Sequence, residues 1–241
     1  MLRITDARTG QLVDAAPTRR GLTRVEAHTD GLDPTNLRVL LVADLLVRAL
    51  ELGGTPVWAL LTGERQQAEL RAAGAALGVR PFEEGRSSGT GLGEAQVLHV
   101  VSEGGETPDG MRVGVAPVRR EASDPLDGTD PAVLRLALLA HPRNETMTVG
   151  PATLGDAGDT LGRWRRAVAA WAHRPSRPVP DPVRADLRGA WEDDLDTVRV
   201  LSVLHAVEKD PDLADGARFE TYAYADRLLG LDLTRDLGTL A

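Results

Sequence analysis

A long, strongly apolar segment, Leu37–Leu52, constrains the fold of this chain more than any other feature of its sequence. Asp33 just before it has the side chain of a helix N-cap, and Pro34 suits the first helical position. Gly53-Gly54 marks the end of the helix. Three charged residues at positions i, i+4 and i+7 are predicted to form its solvated stripe: Asp44, Arg48 and Glu51. The rest of the helix is predicted to be buried.

Strand-like segments flank this helix. Thr23–Ala27 precedes it, and Val57–Leu61 follows it as a continuous apolar run, which is typical of a strand covered on both faces. Strand, helix and strand within about 40 residues form a βαβ unit with a right-handed crossover. The other elements predicted in this half are strands at Leu2–Thr5, 96–101 and 111–116, a helix at 64–77 and a flexible loop at 86–93.

The composition becomes helical after Pro131. Apolar residues at helical spacing predict a helix that contains Trp164 and Trp171. Residues 174–182 hold four prolines and are predicted to be a stiff linker. Further helices are predicted near residues 183–193, 197–208 and 212–229, the last ending at Gly230. These patterns predict two domains, an α/β domain at 1–150 and a helical bundle at 151–241.

Composition excludes several classes of function. The net charge of −8 argues against broad nucleic-acid binding, which needs a concentrated cationic surface. With no cysteine, the chain has neither disulfides nor thiolate metal sites. No signal peptide is predicted, and four charged residues interrupt Leu37–Leu52, so a membrane span is not expected. The cytoplasm is the default location.

Four segments resemble, in order, parts of cysteinyl-tRNA synthetases. Asp33–Asp44 (DPTNLRVLLVAD) resembles the HIGN signature and its helix, and Ala76–Pro81 (ALGVRP) the close of the second helical region. Asp130–Leu139 (DPAVLRLALL) resembles the helix after the KMSKS loop, and Ala190–Thr197 (AWEDDLDT) the start of the helical domain. The resemblance implies a Rossmann-like, HUP-type parallel sheet domain with a reduced catalytic insert, followed by a helical bundle.

In that family, two histidines or a His/Asn pair in the signature hold the phosphates of ATP. Aligned to the signature, Asp33 replaces the first histidine, Thr35 replaces the glycine, and Asn36 alone is kept. A carboxylate here satisfies the backbone amides that a phosphate would use and repels a triphosphate. Asp33 is thus either a structural cap or part of a ligand site for ATP or an AMP-like nucleotide. The candidate ligand-binding residues are His28, Thr29, Asp33, Thr35 and Asn36.

Other parts of the family's chemistry are missing. Lys209, the single lysine, comes too late in the chain to serve as the KMSKS lysine. Arg119 and Arg120 are either a substitute phosphate contact or a solvated pair on a loop. The family's zinc is bound by cysteines with a histidine and a glutamate. Because this chain has no cysteine and its five histidines are scattered, no metal and no zinc are expected, although His28 falls near one zinc cysteine.

The features with which the family binds RNA are also poorly matched in this chain. Trp164, Trp171 and Trp191 lie at helical spacing on apolar faces, so they are predicted to be core residues rather than base-stacking platforms. The best candidate RNA contact is the basic cluster Arg163, Arg165 and Arg166. We therefore expect no tRNA partner.

The resemblance predicts a shortened, catalytically degenerate synthetase paralogue that has lost aminoacylation. As such a pseudo-enzyme it would bind a small molecule or a protein partner, and no catalytic residue is assigned. One alternative is an ATP-dependent ligase that activates another carboxylic acid, for which the related ligase joining cysteine to an aminosugar is the nearest model. The other is a structural partner protein, such as a homodimer or a companion of a full-length synthetase.

Overall fold

The computed structural model describes residues 1–18, 21–85, 94–121 and 129–238. Its strands are β1 (Arg3–Asp6), β2 (Gln11–Asp14), β3 (Leu22–His28), β4 (Val57–Thr62), β5 (Glu83–Glu84), β6 (Glu94–Ser102), β7 (Met111–Val115), β8 (Val118–Arg120) and β9 (Met147–Val149). Its helices are α1 (Pro34–Leu52), α2 (Gln67–Ala76), α3 (Pro131–Leu139), α4 (Pro151–Trp171), α5 (Asp181–Glu192), α6 (Thr197–Lys209) and α7 (Asp215–Leu229). The loop predicted at 86–93 lies outside the described residues.

The centre of the molecule is a five-stranded parallel sheet in the order β5-β4-β3-β6-β7. The chain leaves β3 towards β4 and β5 on one side and later returns to place β6 and β7 on the other. The carboxyl ends of β3 and β6 therefore form a topological switch point, where open parallel sheets bind ligands. The predicted α/β, Rossmann-like fold with a helical C-terminal part is confirmed.

Helix α1 packs on one face of this sheet and is buried along almost its whole length. The predicted solvated stripe is wrong at Asp44, which is 0% exposed. The Asp44 carboxylate accepts hydrogen bonds from Arg48 Nε at 2.8 Å, Arg80 Nε at 3.2 Å and Arg135 Nη2 at 3.0 Å. Helices α3 and α7 cover this side of α1, so the carboxylate is buried with arginine partners instead of water.

The C-terminal helices follow the predicted pattern closely. Helices α5, α6 and α7 match the predicted segments, and Gly230, with φ of 61°, closes α7 in the left-handed conformation. Residues 174–180 form no regular element before α5. Trp164, Trp171 and Trp191 are all buried in the core, as predicted. None of the helices in the described ranges is both long and apolar enough to cross a lipid bilayer.

The boundary predicted at residue 150 is crossed by a continuous hydrophobic core. The N-terminal strand also contacts the far end of the chain, because Thr5 N donates to Asp194 Oδ1 at 2.7 Å and Asp194 N donates to Arg3 O at 3.0 Å. Thr197 Oγ1 donates to Leu139 O at 2.7 Å within the interior. The division into two domains stays a prediction, and the two parts share one core.

Candidate functional site

The turn between β3 and α1 lies at the carboxyl edge of the sheet, next to the switch point. Thr29 is buried, and its backbone N–H donates to Thr62 O at 2.9 Å, which fixes the start of the turn against β4. Gly31 has φ of 98°, a conformation that favours glycine. Asp30 forms an exposed ion pair with Arg65 at 2.8 Å. Side chains within the turn and on the neighbouring loop thus hold it in place.

The N-terminus of α1 is closed by the chain's own side chains. Asp33 Oδ1 accepts a hydrogen bond from Asn36 N at 2.8 Å, and Asp33 Oδ2 accepts one from Asn36 Nδ2 at 2.6 Å. Asn36 also joins the turn to the helix, since Asp30 N donates to its Oδ1 at 3.4 Å. The predicted role of Asp33 as a helix cap is confirmed. The retained Asn36 is engaged in this cap.

Thr35 connects the start of α1 to β8. Its Oγ1 accepts from Val118 N at 3.0 Å and lies 3.4 Å from Val118 O. A glycine at this position, as in the synthetase signature, would make neither contact. Val118 is buried, whereas Arg119 and Arg120 are exposed on β8. The interpretation of the arginine pair as part of a loop is wrong, and the pair lies on a strand held at its start by Thr35.

Arg38 is a buried residue of this region that the sequence pattern did not single out. It is 1% exposed and donates to four backbone carbonyls: Ala116 O, His141 O, Pro142 O and Glu145 O. Burial and the nearby Arg143 lower the pKa of Arg38 to about 10. Its guanidinium therefore remains charged at neutral pH, and it ties α1 to the segments on either side of α3.

The structure brings together two of the five histidines that look scattered in the sequence. His28 Nε2 lies 2.8 Å from His99 Nδ1 across β3 and β6. Glu26 Oε2 lies 3.6 Å from the same His99 nitrogen, and Thr62 Oγ1 donates to Glu26 Oε1 at 2.6 Å. Burial lowers the pKa of both histidines, and Glu26 opposes that shift.

Sequence reasoning placed His28 in the site but missed its partners. The available signal was the alternation of Glu26 and His28, which puts both side chains on one face of a strand. His99, in the middle of a strand that is otherwise mainly apolar, was the second signal. Only the pairing of β3 with β6 shows that these three residues meet.

A cavity of about 380 Å³ lies beside the carboxyl ends of β6 and β7. Its lining includes the polar residues Ser102, Glu103, Arg112, Arg143 and Asn144. Arg143 forms an ion pair with Asp194, while Arg112 Nε donates to Thr107 Oγ1 at 2.9 Å. The cavity therefore contains two guanidinium groups, each fixed by a neighbouring side chain, at the edge of the sheet where ligands bind in such folds.

The basic cluster proposed as an RNA contact does not form a single surface. Arg163 is exposed and pairs with Glu208 at 2.8 Å. Arg165 is 7% exposed and donates to Leu231 O at 2.8 Å and Asp232 O at 3.1 Å. Arg166 is exposed on the same helix. One of the three arginines, Arg165, is thus buried and bonded to backbone carbonyls.

Known family models do not match this chain. Several curated proteins do match parts of it, all named as L-cysteine:1D-myo-inositol 2-amino-2-deoxy-alpha-D-glucopyranoside ligase. The protein of Streptomyces scabiei is 37% identical over 111 residues, which cover 44% of this chain and 26% of the relative. That of Gordonia bronchialis is 46% identical over 81 residues, 33% of this chain and 18% of the relative. That of Streptomyces griseus is 34% identical over 130 residues, 52% of this chain and 29% of the relative.

The chain is therefore partly homologous to cysteine ligases of this name. The matched segments span less than a third of the length of each of these relatives. These matches support the predicted relationship to synthetase-like ligases. They do not bear on the loss of activity predicted from the altered signature.

Proposed function

We propose that this chain is a ligase-related protein that forms no adenylate with cysteine, charges no tRNA, and binds a small anionic ligand. The observation that carries this proposal is the Asp33 carboxylate at the start of α1. Both of its oxygens accept hydrogen bonds from Asn36, at 2.8 and 2.6 Å.

The cap leaves little for a triphosphate to bind. A helix N-terminus attracts anions because its first amides lack partners and its dipole is positive there. In this chain a carboxylate already takes one of those amides and adds a negative charge beside the others. Loss of a single donor of the oxyanion-hole type reduces rates by about 10²–10³. Replacement of a donor by a repelling group works in the same direction.

The chain also lacks a lysine in the position of the KMSKS lysine, which would stabilise the pyrophosphate leaving group. Lys209 is the last residue of α6 in the helical part of the chain. Arg119 and Arg120 are exposed on β8, one and two residues beyond the Val118 that Thr35 holds. An arginine can bind phosphate through two donors, so this pair is the candidate contact for an AMP-like nucleotide.

The ligand site we favour is the cavity of about 380 Å³ at the ends of β6 and β7. Arg112 and Arg143 supply positive charge there, which Glu103 and the Asp194 partner of Arg143 partly offset, and Ser102 and Asn144 supply neutral polar groups. A small carboxylate or phosphate compound fits this lining better than an apolar one. The alternative is that the chain binds a protein partner, such as a second copy of itself, instead of a small ligand.

The second candidate function is an ATP-dependent ligase with a rewritten site. It is favoured by the three relatives described above, each of which is named as a ligase. In this alternative, Arg119 and Arg120 would replace the loop lysine, and the acid activated would differ from cysteine.

Pyrophosphate exchange separates these functions. We expect no ATP-dependent exchange above a protein-free blank with cysteine, because neither a signature histidine nor a loop lysine lies at the helix start. The Streptomyces scabiei ligase serves as the positive control. Exchange with cysteine would contradict the proposal. Exchange with another acid in a panel would favour the rewritten ligase.

A further inference from the structure

The parallel sheet has a second face that the main core does not use. Val25 and Ala27 of β3 point into the core with α1, so the alternate residues Glu26 and His28 point to the opposite face. The strand register places His99 of β6 beside Glu26 and Thr62 of β4 beside His28. We call the face carrying these four side chains the histidine face.

Three ligand atoms converge on the histidine face. One oxygen of Glu26, one ring nitrogen of His28 and one ring nitrogen of His99 all lie within 4.8 Å of one another. His99 is 1% exposed, and the neighbouring Leu60 and Val101 on the same face are 3% and 4% exposed. The three polar groups are therefore held together inside a partly apolar surround.

Neighbouring groups constrain Glu26 and His99. Thr62 Oγ1 donates to Glu26 Oε1 at 2.6 Å, which leaves Oε2 directed at the histidines. A side chain at Gly110 would come within 2.9 Å of His99 Nε2, so glycine allows the backbone to pack against this ring. Within the described residues, Nε2 of His99 is buried and makes no hydrogen bond.

Coordination of a metal through Nδ1 requires the ring proton of His99 on Nε2, the nitrogen that faces Gly110. Histidines that bind metals commonly direct their second nitrogen to a backbone carbonyl or carboxylate. A metal binds imidazole in its neutral form, through the lone pair of one ring nitrogen.

We propose that Glu26, His28 and His99 bind a divalent first-row transition-metal ion such as Zn²⁺, through one carboxylate oxygen, Nε2 and Nδ1 respectively. The set has two imidazoles and one carboxylate, which suits zinc with a fourth position left for water or a ligand. With Zn–N distances of about 2.0–2.1 Å, two tetrahedral nitrogen ligands lie roughly 3.3 Å apart. The present 2.8 Å separation therefore has to open by only about 0.5 Å.

This proposal differs from the expectation that the chain has no metal site. That prediction depended on the absence of cysteine and on histidines that seemed too scattered to meet. The proposed ligands include no cysteine. Arg24 Nε lies 3.8 Å from Glu26 Oε2, so positive charge near the site limits the affinity. The proposed metal site does not depend on the role of Asp33 at the start of α1.

Metal titration of the purified full chain tests the site. After treatment with a chelator and its removal, Zn²⁺ is titrated by calorimetry and Co²⁺ by visible absorption. We expect one equivalent of either ion, with a Co²⁺ spectrum typical of four-coordinate nitrogen and oxygen ligands. Failure of the folded chain to bind either ion would overturn the proposal, whatever the outcome of pyrophosphate exchange.

Variants locate the bound ion. His28→Gln and Glu26→Gln remove one ligand each at partly exposed positions, and each should weaken binding at least tenfold. His173→Ala, at an exposed histidine beyond α4, is the matched control and should bind as the parent chain does. Thermal unfolding without metal shows that each variant is folded. Equal binding by all of them would place the ion elsewhere and overturn the proposal.

Discussion

At the scale of single residues, Asp33 determines how the start of α1 is used. Asp33→Ala removes the acceptor of Asn36 N and should lower the free energy of unfolding by about 0.5–2 kcal/mol. Asp33→Asn keeps an acceptor oxygen at the same place and should cost less, so it is the matched control. Urea denaturation measures both. An Asp33→Ala chain as stable as the parent would mean that the cap at Asp33 does not stabilise the fold.

The cap could be predicted from the sequence because it is local. Asp33 bonds to a residue three positions later, and the types of residue that do this are few. The contact between His28 and His99 joins residues 71 positions apart. It depends on which strands are neighbours and on their register, and neither is written in a local pattern. The sequence therefore predicted the local contact of Asp33 with the start of α1, but not the long-range contact between His28 and His99.

At the scale of elements, α1 also combines local features that the sequence predicts with long-range contacts that it does not. Its boundaries and apolar character follow from Pro34, the apolar run and Gly53. Which side of it meets water depends on the helices that pack on it later in the chain. Asp44 is buried because α3 supplies Arg135, itself 0% exposed, to that side. Short strands such as β5 and β8 were missed because a segment of two or three residues carries no periodic signal.

Asp44→Asn tests how α1 is held to its neighbours. The change leaves Arg135 buried without a counter-charge and should cost about 3–5 kcal/mol at pH 7. Burial alone would raise the pKa of Asp44, but Arg135 and Arg48 lower it below its ordinary 3.8. A carboxylate with a depressed folded pKa stabilises above the unfolded pKa, and this stability is lost as pH falls through the folded value.

The difference in unfolding free energy between parent and variant should therefore be constant above about pH 5 and shrink below 3.8. Urea denaturation at a series of pH values measures it. Asp226, whose pKa is raised by burial, is present in both chains and largely cancels. A difference that stays unchanged down to pH 2 would show that Asp44 is not the charged partner of Arg135.

At the scale of the whole molecule, the two predicted domains contact each other at several points. The backbone of β1 bonds to the segment after α5, and Arg143 pairs with Asp194 across the predicted boundary. Arg135 Nε on α3 donates to Leu229 O at 2.5 Å, and α7 packs on α1. Charged and backbone contacts thus connect the sheet part to the helical part on several sides of a common core.

We therefore expect one cooperative unfolding transition for the full chain. The calorimetric and van't Hoff enthalpies should agree, since a shared core does not let one part melt while the other persists. Asp194→Ala removes the partners of Thr5 N and Arg143, so it should lower the melting temperature without splitting the transition. Residues 151–241 expressed alone should lack a cooperative transition, because their buried face is built partly from α1 and α3. Two separate transitions in the full chain would show instead that the boundary at residue 150 divides independent folding units.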